Sequence, residues 1–69
     1  MHRFFISPEN ISESKVIFPN DISRQLYKVF RFRKGDYCLI FDGTGTEYLV
    51  NLNQVSSSEA FGDILEIIN

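Results

Sequence analysis

Residues 34–52 read KGDYCLIFDGTGTEYLVNL, and this stretch decides what kind of fold the chain can build. Two segments rich in β-branched and aromatic residues, Tyr37–Asp42 and Glu47–Leu52, flank a short loop containing Asp42-Gly43 and Gly45. Gly and Asp accept the positive φ angles of tight connections, so the stretch predicts a β-hairpin. The second strand alternates, with Tyr48, Val50 and Leu52 on one face and Glu47, Asn51 and Asn53 on the other; Leu49 is the exception. That pattern predicts a sheet with one buried face. The first strand is apolar on both faces (Tyr37, Leu39 and Phe41 against Cys38 and Ile40), as in a central strand or one beneath a helix. A lone hairpin is not stable in water, so the rest of the chain must cover it.

On the N-terminal side, RFFI at 3–6 predicts a first short strand and KVIF at 15–18 a second, separated by the turn-forming Ser7-Pro8-Glu9-Asn10. Pro19 closes the second strand, and Asn20 or Asp21 is placed to cap a helix. Ile22, Leu26, Val29 and Phe30 fall at i, i+4, i+7 and i+8, one apolar stripe, with Ser23, Arg24, Gln25 and Lys28 opposite. Lys34-Gly35-Asp36 turns the chain into the hairpin. Beyond Leu52, residues 53–59 form a polar connection to a last strand, Phe61–Ile68, with Phe61, Leu65 and Ile67 on one face and Ile64 and Ile68 on the other. The order is β-β-α-β-β-β, mainly β, and so apolar a sheet is expected to curl into a small barrel with the helix at one opening.

A chain of 69 residues is one small domain with a modest core. Cys38 is the sole cysteine and His2 the sole histidine, which excludes an internal disulfide and an ordinary Cys/His zinc site. Cys38 is expected in the core, and ten aromatic residues, seven of them Phe, supply packing in place of a staple. The apolar run near the N-terminus is too short for a signal sequence or a membrane span, so a cytoplasmic protein is expected. The net charge of −2 hides an asymmetry: Arg24, Lys28, Arg31, Arg33 and Lys34 lie within eleven residues that contain no acid. That segment carries +5 and the rest of the chain −7.

No catalytic constellation is present. His2 reads as a frayed terminal residue, the serines at 56–58 have no adjacent base, and Asp36 and Asp42 are explained by turn formation. Gly43-Thr44-Gly45 lacks the helix and lysine of a phosphate loop. The basic segment differs. Arg24, Lys28 and Arg31 fall at i, i+4 and i+7, a spacing that costs a helix stability through like-charge repulsion, yet suits a phosphate backbone. Tyr27, Phe30 and Phe32 interleave with the charges; exposed members could stack on unpaired bases, and Phe30 and Phe32 are expected in the core.

MHRFFI at the start, LYKVFRFRKGD at 26–36 and LIFDGTGTEYLVNL at 39–52, in this order and spacing, resemble the N-terminal domain of the RsmE family. These bacterial enzymes methylate N3 of a uridine in small-subunit ribosomal RNA. The resemblance implies a PUA-like β-barrel of about five to six strands with one short amphipathic helix, spanning residues 1–69 and helping to dock RNA. It also implies a C-terminal SPOUT domain that binds S-adenosylmethionine, forms a homodimer and transfers the methyl group. That domain is absent from these residues, in keeping with an apolar strand that stops at Asn69. The isolated piece is therefore expected to be monomeric, to hold no cofactor or metal and to be no enzyme. RNA-binding positions are expected at Arg3, Arg24, Lys28, Arg31, Arg33 and Lys34, and the family's hairpin loop corresponds to Asp42, Gly43, Gly45 and Glu47. Arg24 and Gln25 stand where family members commonly carry histidines, and Lys34 replaces a proline. A second expectation, of another class, is a structural module whose barrel packs against the catalytic domain or dimer partner. Binding of S-adenosylmethionine by this piece itself has no motif behind it.

Overall fold

The computed structural model describes residues 2–69; Met1, which opens the MHRFFI motif, lies outside them. The elements run β1 (Arg3–Phe5), a 3-10 turn (Pro8–Asn10), β2 (Lys15–Phe18), α1 (Asn20–Arg24), a π-helical turn continuing it (Gln25–Val29), β3 (Tyr37–Phe41), β4 (Glu47–Val55) and β5 (Ala60–Ile68). All five strands join one sheet in the order β1-β3-β4-β5-β2, with β1 parallel to β3 and the other pairs antiparallel. The expected class and element order hold. The barrel is a half-barrel, since the ladder ends at β1 on one side and β2 on the other.

Alternation decides the faces. Phe4 and Ile6, Val16 and Phe18, Cys38 and Ile40, Val50 and Leu52, and Ala60 point inward, and Leu26 of the helical segment closes over them. Burial of Cys38 pushes its thiol up to about 12, so it is inert in the folded protein. The hairpin turns as its glycines predict, with φ of 88° at Gly43 and 96° at Gly45. The serines of the β4–β5 connection serve the turn: the Ser56 hydroxyl accepts the Glu59 N–H and donates to its carbonyl.

Two features depart from the alternation expected of the sequence. β3 is central, but its second face is not beneath a helix: Leu39 and Phe41 lie half-buried on the outer face, Phe41 edge-on to Phe5 at 5.7 Å. β4 runs on to Val55, and the β4–β5 ladder slips at Leu49/Val50 and Leu52/Gln54. The first slip leaves Leu65 without a partner. Ile64 then faces Val50 and Ile67 faces Tyr48, so these two share the inner face while Ile68 opposes Glu47 on the outer one. A bulge inserts one residue and reverses the phase, which period-two reading cannot anticipate.

On the outer face, Asp63 accepts from Lys15 at 2.7 Å and from Asn53 at 3.2 Å, tying β2, β5 and β4 together. The Lys15 ammonium first, then the Asn53 amide, hold the Asp63 carboxyl below its ordinary value. Gly62 is the tightest point. A Cβ there would lie 2.5 Å from the Asn51 carbonyl oxygen and 2.7 Å from a Val50 methyl. Gly62→Ala is therefore expected to cost about 1–3 kcal/mol, read as a lower urea midpoint at constant m value. An unchanged midpoint would show that this strand spacing relaxes freely.

Candidate nucleic-acid interface

The helical segment starts at Asn20 with Pro19 in the capping position and no side-chain cap, so neither Asn20 nor Asp21 caps it as expected. Asp21 instead sits in the first turn, where its charge complements the helix dipole. Leu26 is fully buried and Ile22 and Phe30 pack on the core, as the stripe predicts. Val29 does not follow them. It is 68% exposed, because from Gln25 the helix widens to a π turn, closed by the Phe30 N–H donating to the Gln25 carbonyl at 3.0 Å. One extra residue in the turn carries Val29 off the stripe. Ser23, expected on the solvent side, is fully buried and donates to the Phe18 carbonyl at 3.4 Å.

The helix ends at a left-handed residue, Arg31, with φ of 57°. The Phe32 N–H then reaches back to the Leu26 carbonyl at 2.9 Å, a Schellman-type cap widened by the π turn. Past this point the pattern has period two: Phe30 and Phe32 lean on the core while Arg31 and Arg33 face solvent. The single helical stripe of Arg24, Lys28 and Arg31 is thus not formed. Arg24 and Lys28 project from the helix, Arg31 from its cap, and Arg33 and Lys34 from the following turn.

All five are exposed, and none joins an ion pair among the described residues, where the pairs are Arg3–Glu47 at 2.9 Å and Lys15–Asp63 at 2.7 Å. The Arg33 backbone N–H donates to Asp36 at 2.7 Å, its Nη1 donates to the Phe32 carbonyl at 3.1 Å, and its guanidinium carbon lies 5.6 Å from the Tyr27 ring centre. The turn that carries them is pinned to the sheet by Gly35 N–H to the Leu52 carbonyl at 2.7 Å.

Arg3 stands apart. β1 does run beside the helix end, with Phe4 edge-on to Phe30 at 5.2 Å, but Arg3 alternates to the outer face and engages Glu47. His2 is not frayed as expected; its ring lies 4.4 Å from that of Phe30. The Asp42–Glu47 loop sits at the other end of β3, five residues away, or about 17 Å of strand. There Asp42 accepts from the Thr44 hydroxyl at 2.6 Å, the Thr44 N–H at 2.9 Å and the Tyr48 hydroxyl at 2.7 Å. The Thr44 hydroxyl and then Tyr48 lower its carboxyl, and the same bond raises Tyr48. These contacts stiffen the hairpin, and among the described residues Arg3 is the one cation paired to it.

Arginine at a left-handed cap is unusual, since glycine adopts that conformation without steric cost. Arg31→Gly is expected to raise stability by up to about 1 kcal/mol. A loss of stability on thermal unfolding would instead assign the Arg31 side chain a structural role.

Residues 18–65 match the family described as RNA methyltransferase PUA domain. Among solved structures, a ribosomal RNA small subunit methyltransferase E from Neisseria gonorrhoeae, bound to S-adenosylmethionine, is 31% identical with a TM-score of 0.80 over 97% of this chain and 28% of its own. A protein described as a predicted RNA methyltransferase from Thermotoga maritima is 24% identical with a TM-score of 0.80, over 97% of this chain and 30% of its own, and shows the shared fold. The chain spans under a third of the length of these structures. Among curated protein sequences there is no significant match. The motifs at 26–36 and 39–52 and the half-barrel they build thus have one source: the chain belongs to the family of RNA methyltransferase PUA domains, with RsmE enzymes among its structural neighbours.

Proposed function

We propose that this domain docks small-subunit ribosomal RNA for an S-adenosylmethionine-dependent uridine-N3 methyltransferase. The observation that carries the reading is the run of five exposed cations between Arg24 and Lys34, free of ion pairs among the described residues and backed by a rigid turn. Phosphate oxygens are the natural partners of such a surface. Arg24, Lys28, Arg31 and Lys34 neutralise successive phosphates, with Arg33 beside them. A strand of RNA that also meets Arg3 passes round the β1 edge of the sheet.

Methyl transfer, cofactor binding and dimer formation fall to a second, SPOUT-type domain in this reading. A cleft of about 660 Å³ along β2, lined by exposed Glu9, Ile17 and Glu59, is an open surface groove and does not fit S-adenosylmethionine as an enclosed pocket would. No helix among the described residues is long and apolar enough to cross a membrane.

A second reading, in which the domain packs against its catalytic domain or dimer partner, has its own observation. Phe5, Leu39, Phe41, Leu49 and Ile68 share the outer face of the half-barrel, and Phe5 is 52% exposed there. The 24–34 segment lies on the opposite face of the sheet from this patch; Arg3 alone of the expected RNA-binding residues shares the patch's face.

The test is the salt dependence of binding to a fluorescently labelled single-stranded rRNA segment. Four phosphate contacts predict a slope of log affinity against log salt of about −3. Lys28→Ala is expected to weaken binding and make the slope shallower by about 0.7 at an unchanged urea midpoint. Salt-independent binding, or binding indifferent to Lys28→Ala, would contradict the proposal.

A further inference from the structure

Three aromatic residues interleave with the basic run, and the structure treats them differently. Phe30 and Phe32 pack on the core, stacked on each other at 6.1 Å and edge-on to Phe4 at 5.2 and 6.4 Å. The outer side of Phe30 is taken by His2. Both rings are half-buried. Tyr27 is 40% exposed, and its hydroxyl makes no hydrogen bond among the described residues, unlike that of Tyr48.

Tyr27 is also the ring that Arg33 covers. The guanidinium carbon lies 5.6 Å from the ring centre, and the arginine is held from two sides by its own backbone bond to Asp36 and by its Nη1 bond to the Phe32 carbonyl. A planar cation over an aromatic ring, both fixed before any ligand arrives, is the arrangement on which a nucleobase stacks with little ordering cost. Arg24 lies three residues before Tyr27 and Lys28 next to it on the same helical segment, with Arg31 at its cap, so phosphates flanking a base at this point meet cations on both sides.

We infer that the Tyr27–Arg33 pair is a stacking site for one unpaired base of a single-stranded RNA whose phosphates run along Arg24, Lys28, Arg31 and Lys34. The inference rests on the RNA-docking reading and adds to it a site that discriminates single-stranded, base-bearing RNA from a bare polyanion. Stacking is indifferent to base identity, so the site selects unpaired structure and not sequence.

The chain contains no tryptophan, so Tyr27→Trp places at the site a single tryptophan that can be excited apart from the remaining tyrosines. The 69-residue chain carrying it is titrated with an oligouridylate and with an abasic strand of equal length, and the unsubstituted chain and Tyr27→Ala are titrated in parallel by anisotropy. Stacking predicts quenching by the oligouridylate alone. It also predicts tighter binding of the base-bearing strand by the unsubstituted chain, on the order of tenfold, and loss of that preference in Tyr27→Ala while the abasic strand still binds. Equal binding of both strands without quenching would overturn the stacking site and leave phosphate docking intact. If neither strand binds the unsubstituted chain, both readings are overturned.

Discussion

The structure depends on how the chain crosses from the helix to the hairpin. Gly35 donates to the Leu52 carbonyl at 2.7 Å and Leu52 donates to the Asp36 carbonyl at 2.8 Å, which extends the β3–β4 ladder past Tyr37. The Asn51 amide adds a bond to the Gly35 carbonyl at 3.0 Å, and the Asp36 carboxylate takes the Arg33 N–H. Gly35 sits at φ of 95°, where a side chain would be strained, so this route is open only to glycine. Leu26, fully buried, anchors the other end. Between these anchors residues 27–34 have little freedom: Phe30 and Phe32 pack on the core, while the charged side chains, Tyr27 and Val29 stay at the surface.

That division turns an acidic protein into one with a basic edge. A cation run this dense repels itself, and the Arg31 cap adds backbone strain. Neither helps the fold, and none of the five cations is ion-paired among the described residues. The chain's other two basic side chains are ion-paired, as Arg3–Glu47 and Lys15–Asp63, so the unpaired cations are concentrated on one short segment, as a phosphate-binding surface would have them.

Much of the fold was legible. The hairpin glycines, the alternation in β4, the Leu26 stripe and the sole cysteine in the core each follow from one local rule, and each holds. The departures come from insertions that break a period. The bulge at Leu65 flips the end of β5, and the π turn moves Val29 out of the core; no residue type announces either. The basic segment carried a signal that helical spacing obscures: Phe30-Arg31-Phe32-Arg33 alternates with period two, which places Arg31 beyond the helix and explains why it is a cap. The Arg3–Glu47 pair and the Tyr27–Arg33 contact are tertiary, joining residues whose relation no sequence period encodes. Family resemblance gave the RNA methyltransferase context, and the geometry separates the Asp42–Glu47 loop from the cations that the resemblance groups with it.

The most direct measurement of the central claim is an amide NMR titration of the 69-residue chain with a single-stranded rRNA segment, at low and then moderate salt. The account predicts shifts concentrated at residues 24–34 that fade as salt rises, with the Asp42–Glu47 amides at the far end of β3 largely still. Shifts centred on the outer-face residues Phe5, Leu39 and Leu49, or no shifts at low salt, would contradict it.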